Sequence, residues 1–383
     1  MTGATGGFAR GYRAAATVLL NTLVLLVVLD AALAAVLWMR DRQGPTIDMY
    51  DRLDDATLAR LFPGRARSEI AATWTEAVQP LSYEPFTEFR ERPRHEPWVT
   101  VDPAGFRAGR DQRPWPPDPA RFNVFVFGGS TTFGYGVADG DTIASQLQPL
   151  LARRGRDVAV YNFGRGYYYS TQERILYEQL LAGGFVPALA VFIDGLNDFC
   201  YDRDDSAVSA RLAAALEGNH APSLAAWIAG TAIGRAATSA RDRLRDRAAA
   251  PDTTPRELGD DVIAHIIARY FANKRLIESE SAAYAVTPLF VWQPVPMYKY
   301  ERKYHLFAER GFFGVTQVRR GYEAMARWVH DHAPGDDFLW LADVQENATD
   351  PLYVDVVHYA PPFMGRLASL IDERVGGLVE QRP

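Results

Sequence analysis

The run Phe122-Asn123-Val124-Phe125-Val126-Phe127 passes without a break into Gly128-Gly129-Ser130-Thr131-Thr132. Phe and Val at this density, cut off by two glycines and a serine, predict a buried strand that turns sharply into a helix. The turn places Ser130 at a helix N-terminus, where unpaired backbone N–H groups and the positive end of the helix dipole favour a developing alkoxide or oxyanion. A serine there is equally well explained as an N-cap. Its partners farther along the chain decide between the two readings.

The pattern that begins at Phe122 repeats. Strands are predicted over 157–161, 188–193, 286–293 and 337–342, and amphipathic helices over 141–151, 171–182, 260–283, 315–332 and 360–375. Strand, loop and helix in regular alternation predict an α/β fold: a parallel sheet with right-handed crossovers and its functional loops at the C-terminal strand ends. No internal repeat or low-complexity tract is visible.

Two segments break the pattern. Residues 14–39 are almost wholly apolar, interrupted by Asn21 and Asp30 and flanked by arginines on both sides. The stretch is long enough to cross a bilayer core, which takes about 20 helical residues. A cleaved signal peptide with Ala32-Leu33-Ala34 at the cleavage site is the rival. Because the apolar run continues through Trp38, an uncleaved anchor is the reading adopted, preceded by a short tail (1–13). The arginine counts do not decide its orientation; a short tail inside and a large domain outside is the expectation. Residues 201–255 are rich in Ala and Arg and are read as a helical insertion, either a lid over the strand ends or a peripheral bundle.

Between anchor and sheet, residues 40–121 form a linker and wrap. A short helix is expected over 57–62, and prolines from 80 to 119 then limit the chain to extended segments or short edge strands pinned by Trp98, Phe106 and Trp115. Residues 122–380 make up the catalytic-looking domain.

Composition excludes several classes. A net charge of -6 without a basic block argues against nucleic acid. A single cysteine, Cys200, excludes an intrachain disulfide framework and a Cys-based zinc site. His95, His220, His265, His305, His330, His332 and His358 lack the spacing of a metal-binding helix, so neither metal nor cofactor is expected.

Four short segments fall at predicted strand ends: Gly128-Gly129-Ser130, Asn162-Phe163-Gly164, Gly195-Leu196-Asn197-Asp198 and Asp355-Val356-Val357-His358. A serine nucleophile needs a base, which His358 can supply, and that base needs a carboxylate to fix its tautomer, which Asp355 can supply from three residues away. The backbone N–H groups of Ser130 and Gly164 and the Asn197 amide are candidate oxyanion donors.

These blocks resemble the SGNH (GDSL-type) hydrolase family, whose four name residues fall here on Ser130, Gly164, Asn197 and His358. The first block departs from the pattern, since Gly129 stands where the family often has Asp. The resemblance covers roughly residues 122–375 and implies a three-layer α/β/α sandwich with a five-stranded parallel sheet, of flavodoxin-like type. An α/β-hydrolase shares the order Ser, acid, His, but Thr132 occupies the last glycine position of its Gly-x-Ser-x-Gly elbow. The expected activity is that of a membrane-anchored serine esterase acting outside the cytoplasm on an acyl ester, O-acetyl on a glycan above all. An O-acyltransferase using the same site is the alternative, and a non-catalytic scaffold of a polysaccharide assembly complex is a third reading. Tyr135, Tyr167, Tyr168, Tyr169 and Tyr298 lie near the expected rim and could stack on a sugar, although aromatic residues near strand ends more often serve packing, and the turn 294–298 is a candidate cleft wall.

Overall fold

The computed structural model describes the backbone of residues 4–41, 49–155, 157–200, 231, 233–234, 237, 258–310 and 315–381. Contacts divide the chain into two compact units, one of residues 1–45 with 212–254 and one of residues 46–211 with 255–383. In the first, helix α1 (Ala4–Asp41) contains an apolar span, Gly11–Val36, of 26 residues, whose most apolar 18-residue stretch has mean hydropathy 2.4. It is long and apolar enough to cross a membrane. The predicted insertion 201–255 lies outside the described residues except for four positions, and the choice between lid and bundle lies outside them too.

The second unit opens with α2 (Asp55–Leu61), α3 (Arg67–Ala77) and four short strands, β1 (Ser82–Glu84), β2 (Glu88–Arg90), β3 (Arg94–His95) and β4 (Thr100–Val101). There follow β5 (Phe122–Gly128), α4 (Ser130–Phe133), α5 (Ile143–Ala152), β6 (Val158–Asn162), α6 (Ser170–Ala182) and β7 (Leu189–Asp194). The chain closes with α7 (Asp260–Ala283), β8 (Thr287–Trp292), α8 (Val315–His332), β9 (Phe338–Trp340) and α9 (Pro361–Gln381).

Strands β5 to β9 form one parallel sheet in the order β6-β5-β7-β8-β9. The chain leaves β5 toward one edge and returns to build the other. Right-handed crossovers therefore put α5 on one face and α6, α7 and α8 on the opposite face, with α9 packing beside α5. Side-chain alternation matches the two faces. Val124, Val126, Val191, Ile193, Leu289 and Val291 meet α5 and α9, whereas Phe125, Phe127, Phe192, Phe290 and Trp292 meet the other three helices. Phe127, Phe192 and Phe290, neighbours in register, stack across three strands at 4.8 and 5.4 Å. This is the three-layer α/β/α sandwich expected from the sequence. The strand order reverses at β5, so a crevice opens at the C-terminal ends of β5 and β7, where Ser130 and Asn197 follow their strands.

Sequence periodicity missed α3. Its apolar positions Ile70, Trp74 and Ala77 are buried, and Glu69 accepts the N–H of Ala66 at 2.9 Å to close the first turn. That spacing is the signal that was available. With Tyr50, Phe62, Val99 and Val101, these residues form a third apolar cluster that reaches Phe133, Tyr135 and Val354. The wrap therefore packs on both the segment after Ser130 and the segment before His358. Trp98, Phe106 and Trp115 pin it as expected, Phe106 most deeply.

Arg107 locks the wrap in place. Its backbone N–H donates to Asn162 at 2.8 Å, extending the sheet edge by one residue. Its fully buried guanidinium pairs with Asp139 at 2.9 Å and donates to the carbonyls of Phe133, Gly134 and Val137 at 2.5–2.9 Å. The first two of those carbonyls end the helix that Ser130 begins. Truncation would leave Asp139 without its partner and three carbonyls short of a donor. Arg107→Ala should therefore lower unfolding free energy by about 3–5 kcal/mol, read by denaturant titration, whereas removing the exposed Arg60–Asp350 pair should cost less than about 1 kcal/mol.

Candidate active site

Gly128 ends β5 at φ +156, and a Cβ there would stand 2.1 Å from Thr132 Oγ1. The chain turns at once into α4, a single turn ended by Gly134 at φ +90. Ser130 is the first residue of that turn, where backbone N–H groups have no intrahelical acceptor. Gly129 is required by crowding: an added Cβ would lie 2.5 Å from Asn197 Nδ2 and 3.1 Å from the Tyr168 carbonyl.

Ser130 Oγ lies 2.8 Å from His358 Nε2, and His358 Nδ1 lies 2.7 Å from Asp355 Oδ2. Asp355 Oδ1 also accepts the backbone N–H groups of Val357 and His358 at 2.8 and 2.7 Å. Burial pushes the Asp355 carboxyl up, but the neighbouring imidazole and these hydrogen bonds outweigh it, holding the pKa below the ordinary carboxylate range. An ionised carboxylate on Nδ1 assigns the proton to that nitrogen and leaves Nε2 free to accept from the serine hydroxyl. Residues 228 positions apart thus form one hydrogen-bonded series.

The Asn197 amide donates to the Tyr168 carbonyl at 2.7 Å, which fixes the side chain with its nitrogen beside Gly129. Gly164 is placed differently. It lies against the backbone of Thr132 and Phe133, and its N–H is engaged by the Asn162 carboxamide at 3.0 Å. Of the five tyrosines considered for sugar contact, Tyr135, Tyr168, Tyr169 and Tyr298 are buried, in keeping with the packing role. Tyr168 gives its hydroxyl to the Phe89 carbonyl, Tyr169 lies under Arg269, and Tyr298 packs on Tyr322. Tyr135 donates to Glu91, and its ring lies 5.4 Å from the His358 ring, as a wall. Tyr167 alone among them is exposed, at 54% and φ +66.

Several residues that sequence reasoning passed over hold these groups together. Gln293 Oε1 accepts from Thr131 Oγ1 at 2.7 Å and from the Tyr359 hydroxyl at 3.0 Å, tying the residue after Ser130 to the residue after His358. The single Tyr359 hydroxyl proton is shared with the Pro294 carbonyl, the nearer acceptor at 2.7 Å, so the turn read as a cleft wall serves as a brace. Tyr50 donates to the Val354 carbonyl at 2.7 Å and accepts from Trp74 Nε1, whose ring stands edge-on to His358 at 6.2 Å. His305 accepts the Phe307 N–H on Nδ1 and donates from Nε2 to the Val356 carbonyl, both at 3.1 Å. That arrangement needs a neutral ring, and burial pushes the His305 pKa down accordingly. A polar residue ending an otherwise apolar strand was the one available signal for Gln293. Nothing local marks Tyr50 or His305.

Behind Asn197, the carboxyls of Glu173, Asp194 and Asp198 are buried in mutual electrostatic contact. Asp198 accepts from Ser170 Oγ at 2.7 Å and from the Gly195 N–H, bracing the loop. Burial first, then neighbouring negative charge, raises the pKa of Glu173 and Asp194 well above the ordinary range.

No family model matches the chain, and no curated protein matches it. Among solved structures, it is similar to a lipase/acylhydrolase from Enterococcus faecalis, at 15% identity and TM-score 0.39 over 68% of this chain and 98% of that one. It is also similar to a GDSL-like lipase from Bacteroides thetaiotaomicron, at 12% identity and TM-score 0.36 over 69% and 91%. An acetyl xylan esterase matches at 11% identity and TM-score 0.35 over 66% and 99%. Likeness this low carries no activity across; the chemistry rests on the geometry above.

Two measurements test this site's supports. A carboxyl with a raised folded pKa binds more protons folded than unfolded, so its contribution to stability falls as pH rises from the ordinary carboxylate range toward the folded pKa. Glu173→Gln should therefore gain stability relative to the parent at pH 8 and show a flatter profile between pH 5 and 8 in denaturant titrations; a parallel profile would remove the buried charge as the cause. Tyr50→Phe keeps the ring and deletes the hydroxyl. It should lower kcat on a small ester by about tenfold, equivalent to about 1.4 kcal/mol, with KM little changed, as expected for a group that positions His358 without touching substrate.

Proposed function

We propose that this protein is a membrane-anchored serine esterase of the SGNH type that hydrolyses an acyl ester, O-acetyl on an extracytoplasmic polysaccharide or other glycan. The observation that carries the reading is the hydrogen-bonded series from Ser130 through His358 to Asp355 at 2.8 and 2.7 Å. In this mechanism Ser130 Oγ attacks the ester carbonyl while His358 Nε2 takes the hydroxyl proton. Asp355 stabilises the imidazolium that results. The tetrahedral oxyanion is met by the Ser130 N–H and the free N–H of Asn197, and Gly164 takes part only by loosening its bond to Asn162. Collapse expels the alcohol, which leaves with the proton from His358. Water, deprotonated by the same imidazole, then attacks the acyl-serine and releases the carboxylic acid.

The crowded surroundings of Ser130 support a small acyl group. Trp74, Tyr135 and Asn197 stand close to the nucleophile and its base, and His358 is only 8% exposed. The domain reading of residues 122–380 as the hydrolase, preceded by a wrap at 40–121, fits the third apolar cluster, through which the wrap walls the base. The α1 span supports attachment to a membrane; an enzyme outside the cytoplasm is part of the proposal.

The test uses full-length protein in detergent and an activated acetyl ester. Turnover should be abolished in Ser130→Ala, and Asn197→Ala should lower kcat by about a hundredfold, as for loss of one oxyanion donor. Unchanged turnover in Ser130→Ala would sink the mechanism. Product analysis with an oligosaccharide present separates the alternatives: free acetate is expected, while acetylated sugar would point to acyl transfer.

A further inference from the structure

Asp30 is the one ionisable residue within the apolar span Gly11–Val36 apart from Tyr12 and Arg13 near its start, and the structure gives it a partner. Its carboxylate accepts the backbone N–H of Ile233 at 2.7 Å. Next to it, the Gly234 N–H donates to Thr231 Oγ1 at 3.0 Å, and residues 233 and 234 are helical. Thr231 therefore caps a helix start, and Asp30 takes a neighbouring N–H that the cap leaves free.

A second observation concerns the surface of α1. Between residues 11 and 36 every side chain is exposed except Asp30, Leu33 and Ala34. The spacing i, i+3, i+4 makes these a single patch on one side of the helix. Gly234 on the other segment is buried. Residues 1–45 and 212–254 belong to one compact unit, as such a packed patch requires.

A third is depth and composition. Asp30 precedes the end of the span at Val36 by six residues, about 9 Å along the helix axis. Residues 221–234 contain no charged side chain and include Leu224, Trp227, Ile228 and Ile233, after which Arg235, Arg241, Arg243, Arg245 and Arg247 follow. An uncharged stretch of this length is too short to span a bilayer but suits a segment seated at its boundary.

We propose that the stretch around Thr231–Gly234 is a second membrane contact, seated in the lipid boundary region and docked on the anchor helix through Asp30. On this reading, which rests on α1 crossing a bilayer, Asp30 is an internal cap for a returning segment. The unexpected charge in the span is there because a helix start reaches it at that depth. The partner of the surface is the lipid bilayer, and the protein is held at two points.

Nitroxide labels on the full chain in phospholipid vesicles test this, in a Cys200→Ser background. Accessibility to oxygen, which concentrates in lipid, is compared with accessibility to a water-soluble nickel chelate. Leu25→Cys reports on the anchor and Ile233→Cys on the proposed contact. Oxygen should dominate at both. Oxygen at 25 with nickel access at 233, or with neither reagent reaching 233, leaves the anchor intact and overturns the second contact. Nickel access at 25 overturns the anchor and the proposal with it. Adding Asp30→Leu should raise nickel access at 233 severalfold, and no change there would remove Asp30 as the dock.

Discussion

The carboxamide oxygen of Gln293 receives the Thr131 hydroxyl and shares the Tyr359 hydroxyl proton with the Pro294 carbonyl, and the site depends on that meeting. Thr131 follows Ser130 and Tyr359 follows His358, so one acceptor at the end of β8 helps set the distance between Ser130 and His358. Gln293 itself is positioned by the sheet, since its N–H continues the ladder to the Asp194 carbonyl at 2.9 Å. Sheet register and the geometry of the candidate site are thus joined by a single side chain. A helix N-terminus, a buried turn and a strand end lie too far apart in the chain for local structure to bring them together.

The wrap preceding the sheet works on the same problem from outside. Arg107 closes the carbonyls at the end of the Ser130 turn, Tyr50 takes the carbonyl of Val354, and Glu91 accepts from Tyr135 and from the Gly166 N–H at 2.7 Å. Buried polar groups of this kind are costly unless satisfied, and each is satisfied here by a group of the opposite type. The expectation of a packed linker therefore understates this region. It supplies the wall against which His358 stands, including the Trp74 ring carried on a helix that periodicity did not reveal.

Much of the fold was legible because burial imposes regular patterns. Strands covered on both faces carry continuous apolar runs, and α7 and α8 begin and end where their sequence periodicity does. The short edge strands of the wrap were visible only as a ban on helices by proline. In the site, Ser130, His358 and Asp355 were named from residue type and order, and the structure brings them within hydrogen-bond distance. Gly164 was named on the same footing, yet its N–H is turned to Asn162. Four of the five tyrosines considered for sugar contact proved to be buried, because an aromatic ring near a strand end fills the core as readily as it meets a ligand.

By itself the sequence determined the α/β class, the apolar N-terminal helix and the identity of the candidate nucleophile, base and acid. Each of these follows from local pattern or from the chemistry that a residue type can perform. Tertiary structure decided which groups meet: the bridge through Gln293, the Tyr50 and His305 supports behind the Asp355 loop, the burial of Glu173 beside Asp194, and the partner of Asp30. The physical reason is that hydrogen bonds and electrostatic contacts depend on separations of a few ångströms between residues far apart in sequence, and only the packed sheet and its wrap fix those separations.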